Sequence, residues 1–153
     1  MCVLRQTKMG EARNPRALHV GSLQMRKEWQ EATRQGDLAN VRRLSGEGAD
    51  IDARDQHGQT ALMNTAHAGQ RERVRLLVES GADLDVTAKF NLSALMLSLI
   101  AHHTEVARLL IEAGADVNIR STEAFQRKTA LSLAEEGTHL EIAALLKQRG
   151  AID

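Results

Sequence analysis

Two short markers recur in step along this sequence, and together they leave it few ways to fold. Gly48-Ala49-Asp50, Gly81-Ala82-Asp83 and Gly114-Ala115-Asp116 stand 33 residues apart, and Gly150-Ala151-Ile152-Asp153 follows 36 residues later. Thr60-Ala61-Leu62, Ser93-Ala94-Leu95 and Thr129-Ala130-Leu131 keep the same offsets, 33 and then 36. Independent markers that share an interval and an insertion point to one unit copied along the chain. A unit of this size cannot bury an apolar face alone, so neighbouring copies must stack.

Each marker has a physical role. Thr60, Ser93 and Thr129 are suited to N-caps, because their hydroxyls accept from free N–H groups in a helix's first turn. Short helices are expected over 61–68, 94–101 and 130–137. Second helices are expected over 38–46, 71–80, 104–113 and 140–149, with apolar residues at helical spacing, as in Val74, Leu77 and Val78 or Val106, Leu109 and Leu110. The Gly of each Gly-Ala-Asp stands where a helix end needs a left-handed residue. The aromatic content is 2%, with no Tyr, one Trp and two Phe. The core must therefore come from Leu, Ala, Val and Ile, which suits short, closely packed helices. About nine polar, extended residues separate each Gly-Ala-Asp from the next cap, a length fit for a projecting β-hairpin.

The stretches 58–85, GQTALMNTAHAGQRERVRLLVESGADLD, and 92–118, LSALMLSLIAHHTEVARLLIEAGADVN, carry these features in full. On them the chain resembles the ankyrin repeat family over residues 27–153. The resemblance implies an all-α solenoid of four helix-turn-helix units (about 27–54, 55–87, 88–120 and 121–153) with β-hairpin projections. The chain departs from the family pattern in places. Ala61, Ala94 and Ala130 stand where the family usually has Pro, and Asn64 stands at a usually buried apolar position. A buried amide without partners is costly, so Asn64 is expected to bond to a turn. Asn91 replaces the hairpin glycine seen as Gly58, and Asn tolerates the left-handed conformation.

The outer units should be polar on their outer faces. Asn40 and Arg43 in the first unit and Glu135 in the last read as such caps, and so predict a stack complete at four units. Residues 1–26 carry five Lys/Arg and one acid, and residues 1–24 match no repeat. They read as a basic, mostly disordered extension. Met25 lies just before the first unit, which leaves open whether the extension belongs to the natural protein or acts as a targeting arm.

Little in the sequence suggests chemistry. Asp50/Asp52 and Asp83/Asp85 are spaced D-x-D, but Arg54 occupies what would be the next ligand position of a calcium loop. The spacing recurs with the turn, so a turn-bracing role is expected instead. His102 and His103 are adjacent, so they point apart and chelate poorly; His102 takes the place of an inter-helix Gly. No phosphate loop or nucleophile motif occurs. The expectation is no catalytic residue, no metal and no cofactor. Charges balance at 20 and 20, which argues against a general nucleic-acid or membrane-surface binder. No apolar run approaches the roughly 18 residues that span a bilayer. A lone cysteine, Cys2, fits a reducing compartment such as the cytoplasm.

What remains is binding to another protein. The resemblance implies contact through hairpin tips and the exposed side of the first helices. Those positions hold Gln56, His57 and Gln59, then Lys89, Phe90 and Leu92 with Ile100 behind, then Phe125, Gln126 and Lys128. The early units are polar, whereas the later ones present an apolar cluster with lysines at its rim. Phe90 and Phe125 could instead fold back over helix ends. The leading expectation is a non-enzymatic, monomeric interaction module or scaffold. The alternative is a regulatory subunit or substrate adaptor for an enzyme on another chain.

Overall fold

The computed structural model describes residues 15–152, with side chains described from Gln24 onward. These residues fall into two compact units divided after Asp50. The first holds α1 (Pro15–Gln35) and α2 (Leu38–Gly46), packed on each other. The expected disorder over residues 1–24 is corrected from Pro15 on, because α1 starts there and runs unbroken across the expected boundary at residue 26. Pro suits a first helical position, since its φ is preset and its missing N–H is not needed there. The Leu, Gln, Met, Arg, Lys and Glu that follow are good helix formers. The part of that expectation covering residues 1–14 lies outside the described residues. Gly36 turns the chain with φ 76°, and Asp37 caps α2 by accepting from the Asn40 N–H at 3.1 Å. Trp29, Ala32, Val41 and Leu44 are buried. Asn40 and Arg43 are exposed, and Arg43 lies 2.9 Å from Glu47 and 3.6 Å from Glu28.

The second unit holds α3 (Ala61–His67), α4 (Arg71–Glu79), α5 (Ala94–Ile100), α6 (Thr104–Glu112), α7 (Ala130–Glu136) and α8 (Leu140–Gln148). Each short helix packs on the longer one that follows it. The short helices α3, α5 and α7 also pack in a row, and α4, α6 and α8 form a second row behind them. Leu62, Leu77, Leu95, Leu99, Leu110, Ile142 and Leu146 fill the space between the rows. Ala66, Ala107 and Ala134 are fully buried. A methyl group at these positions lets backbones approach closely, which is how a core nearly free of aromatics reaches close packing.

The short helices start where their caps dictate. Thr60 accepts from the Met63 N–H at 3.3 Å, Ser93 from that of Met96 at 3.4 Å and Thr129 from that of Ser132 at 3.1 Å. Ser132 returns the bond by accepting from the Thr129 N–H at 2.8 Å, which closes a capping box. Between the helices of each pair the chain passes through a left-handed residue: Gly69, His102 and Thr138, at φ 73°, 63° and 59°. Gly69 is doubly constrained, because a Cβ there would lie 2.6 Å from the His103 ring. Thr138 is β-branched and carries strain in this region.

The D-x-D pairs do more than brace their own turns. Asp83 accepts from the Asp85 N–H at 2.9 Å, as expected of a turn. The second carboxylate reaches forward instead: Asp52 accepts from the Asp83 N–H at 2.9 Å and Asp85 from that of Asp116 at 2.7 Å. Asn118 continues the ladder by accepting from the Ile152 N–H at 2.9 Å. The expected β-hairpins are simpler than foreseen. Among the described residues there is a single isolated antiparallel bridge, Thr87 to Ser93, and no strand. Each projection is short and carries a backbone bond near its base: Asp55 N–H to Gln59 O at 2.8 Å, Ala88 to Leu92 at 3.1 Å and Ser121 to Lys128 at 2.9 Å.

Candidate interaction surface

Three turns project from the second unit, each built by different local chemistry. In the first, Asp55 Oδ1 accepts from the backbone N–H groups of His57 at 2.8 Å and Gln59 at 3.0 Å. Its Oδ2 accepts from the Asn64 side-chain amide at 2.9 Å. Asn64 therefore makes the expected bond to a turn, although it is exposed and not buried. Partial burial works against the Asp55 charge, but the bonds from Asn64, Gln59 and His57 outweigh it and hold the carboxyl below its ordinary value. Gln56 and His57 are exposed at this tip, 3.2 Å apart through their side-chain nitrogens, and Gln59 is half-buried. Arg54 ties this turn to the next by donating to Gly58 O at 2.8 Å and Thr87 O at 2.9 Å.

The second turn, Lys89 to Leu92, has its two central residues, Phe90 and Asn91, at φ 62° and 59°. Two successive left-handed residues closed by the Leu92 N–H on Lys89 O make a type I′ turn. Asn91 was expected in that conformation; Phe90 was not. A bulky aromatic there costs about 1–2 kcal/mol relative to glycine. The geometry also reverses one expectation outright. Leu92 points inward and is 7% exposed, so it belongs to the core and not to a contact surface. Phe90, at the crown of the turn, is 37% exposed.

The third turn follows the 3₁₀ segment Glu123–Phe125, after which Gln126 and Arg127 are both left-handed, at φ 64° and 54°. It meets the second turn directly. The rings of Phe90 and Phe125 stack with centroids 5.9 Å apart and planes at 25°. The Thr122 N–H donates to Phe90 O at 2.9 Å, and the Asn91 side chain donates to Arg120 O at 2.7 Å. The Lys89 ammonium lies over the Phe90 ring, 4.9 Å from its centroid. The sequence left open an apolar cluster or rings folded back over helix ends, and the structure brings the two phenylalanines together. They form one half-exposed apolar patch. Gln126 is exposed beside it, whereas Lys128 is half-buried and paired with Glu136 at 2.5 Å. Ile100 lies half-buried at the end of α5.

A contact on the other side of the turns was not foreseen. The ring of His102 meets that of His139, with His102 Nδ1 and His139 Nε2 3.0 Å apart. The signal lay in position, since His102 stands in one inter-helix turn and His139 directly follows the next. Among the described residues no three of His, Cys, Asp or Glu are grouped to hold a metal ion. No helix among them is long and apolar enough to cross a membrane.

A family model described as ankyrin repeats, in three copies, matches residues 29–121. A search of curated proteins finds no match. The matched span covers α2 to α6, including the Asp55 turn and the Phe90 turn, and stops before the insertion that carries Phe125. With well over half of its length in that span, and with paired helices repeating at its interval, the chain belongs to the ankyrin repeat family.

Proposed function

We propose that this chain is a non-enzymatic interaction module of four repeat units that holds another protein against its projecting turns. Ankyrin repeats generally serve as protein–protein interaction modules. The observation that carries the assignment is the Phe90–Phe125 stack. It gathers both phenylalanines of the chain at the crowns of two turns, and it leaves Phe90 exposed in a backbone conformation that Gly or Asn would adopt at lower cost. Strain held at a surface position, together with an exposed aromatic pair, points to selection for contact and not for folding. In this reading Phe90 and Phe125 anchor the partner. Lys89, Gln126 and Lys128 rim the anchor, Ile100 extends its apolar part, and Gln56, His57 and Gln59 continue the contact as a polar segment. Leu92 has no direct part.

The test compares proteins captured from lysate by the full chain and by its Phe90→Asn/Phe125→Ser variant. Asn keeps the left-handed turn, so the variant should melt within a few degrees of the parent. Partners lost selectively by the variant support the module and its surface. An identical set of partners overturns the assignment of the surface.

A further inference from the structure

We propose that the Phe90–Phe125 stack receives an acidic peptide segment bearing an apolar or aromatic side chain, an assignment that rests on the stack being a contact surface. The argument is charge complementarity. Residues 27–153 carry a net charge of −4, yet the two turns that meet at the stack, 86–93 and 119–129, carry Lys89, Arg120, Arg127 and Lys128 against Glu123 alone. Lys89 lies over the Phe90 ring, and the bond from Asn91 to Arg120 O brings the Arg120 backbone to the same place. Arg127 and Lys128 do have internal acids, Glu123 at 3.6 Å and Glu136 at 2.5 Å. Arg127, Glu123 and Glu136 are largely exposed. Such pairs are weak, so a partner's carboxylates could take their place. A like-charged partner would be repelled, which favours specificity as well as attachment. The first turn provides no comparable field, since Asp55 and Arg54 are engaged in bonds to neighbouring groups. A nucleic acid also carries negative charge, but bases need open ring faces on which to stack. Phe90 and Phe125 stack on each other and Trp29 is buried, so the described residues offer no series of phenyl or indole faces for successive bases.

The experiment pans random peptides displayed on phage against the full chain and measures the affinity of synthetic copies of those selected. The expected peptides are rich in Asp and Glu around one aromatic or aliphatic residue. Their binding should weaken about tenfold or more in the Lys89→Glu/Lys128→Glu chain and fall with added salt. It should be lost in Phe90→Asn. Selected peptides that require Phe90 but carry no net acid, or whose affinity survives the charge reversal, overturn the acidic assignment and leave the contact surface standing. Failure to select any peptide, or selection of peptides indifferent to Phe90→Asn, overturns both. Tighter binding of a labelled oligothymidine through the same cations also overturns the peptide assignment.

Discussion

The first and second projecting turns occupy equivalent places in successive copies, 33 residues apart, yet they are built on opposite principles. At the first, Asp55 gathers two backbone N–H groups and the Asn64 amide onto one carboxylate, and Gly58 takes the left-handed position without strain. At the second no carboxylate organises the loop, and Phe90 and Asn91 both sit at positive φ. The first turn is held within itself by side-chain bonds. The second holds its reversal together through the core residue Leu92 below and the Phe125 ring alongside. The difference separates a turn organised by its own carboxylate, with a polar tip, from one whose crown carries an exposed aromatic ring.

The comparison can be sharpened by single substitutions. The largest effect should come from Leu92→Ala, which opens a cavity beneath the second turn and should lower stability by about 2–4 kcal/mol in chemical denaturation. A change below about 0.5 kcal/mol would place Leu92 outside the core and return it to the surface. Asp55→Ala should cost about 1–2 kcal/mol, because three donors lose one acceptor while solvent replaces part of it. Thr138→Gly removes strain with no ring contact involved, at the loss of the hydroxyl's bond to Gly137 O and with a freer unfolded chain, so it should raise stability by at most about 1 kcal/mol. Phe90→Asn relieves similar strain but loses the stack, so its net effect should stay within about 1 kcal/mol of zero. If it destabilises as much as Leu92→Ala, the crown is structural and the contrast between the turns fails.

The smallest effect is one of pH. The folded-state value of Asp55 is lowered. Its contribution is therefore present in full above the unfolded carboxylate value, about 4. It fades as pH falls through the lower folded-state value. The stability gap between the parent and Asp55→Asn should be steady from neutral pH down to about 4 and narrow below it. A gap that widens on acidification would show that the carboxylate is not held in its charged form.

Much of this architecture is legible in the sequence. The helix starts at Ala61, Ala94 and Ala130 follow from cap hydroxyls, and the left-handed places at Gly81, Gly114 and His102 follow from position within the period. These are local properties, set by groups within a few residues of each other. The forward reach of Asp52 to Asp83 is not legible, because the recurrence of Asp52, Asp85 and Asn118 at 33 fits bracing within each turn equally well. The long α1 is less legible, because Pro, scattered Gly and basic residues mark disordered segments as readily as Pro15 marks a helix start.

The sequence by itself determined the period, the paired helices and their caps, since these depend on residues close along the chain. Tertiary structure decided which side chains meet. Phe90 and Phe125 lie 35 residues apart, and stacking of the copies makes them neighbours. Whether Phe90 faces out and Leu92 in depends on two left-handed residues at a turn crown. A change of a few tens of degrees there redirects every side chain that follows, and no periodic pattern in the sequence records it.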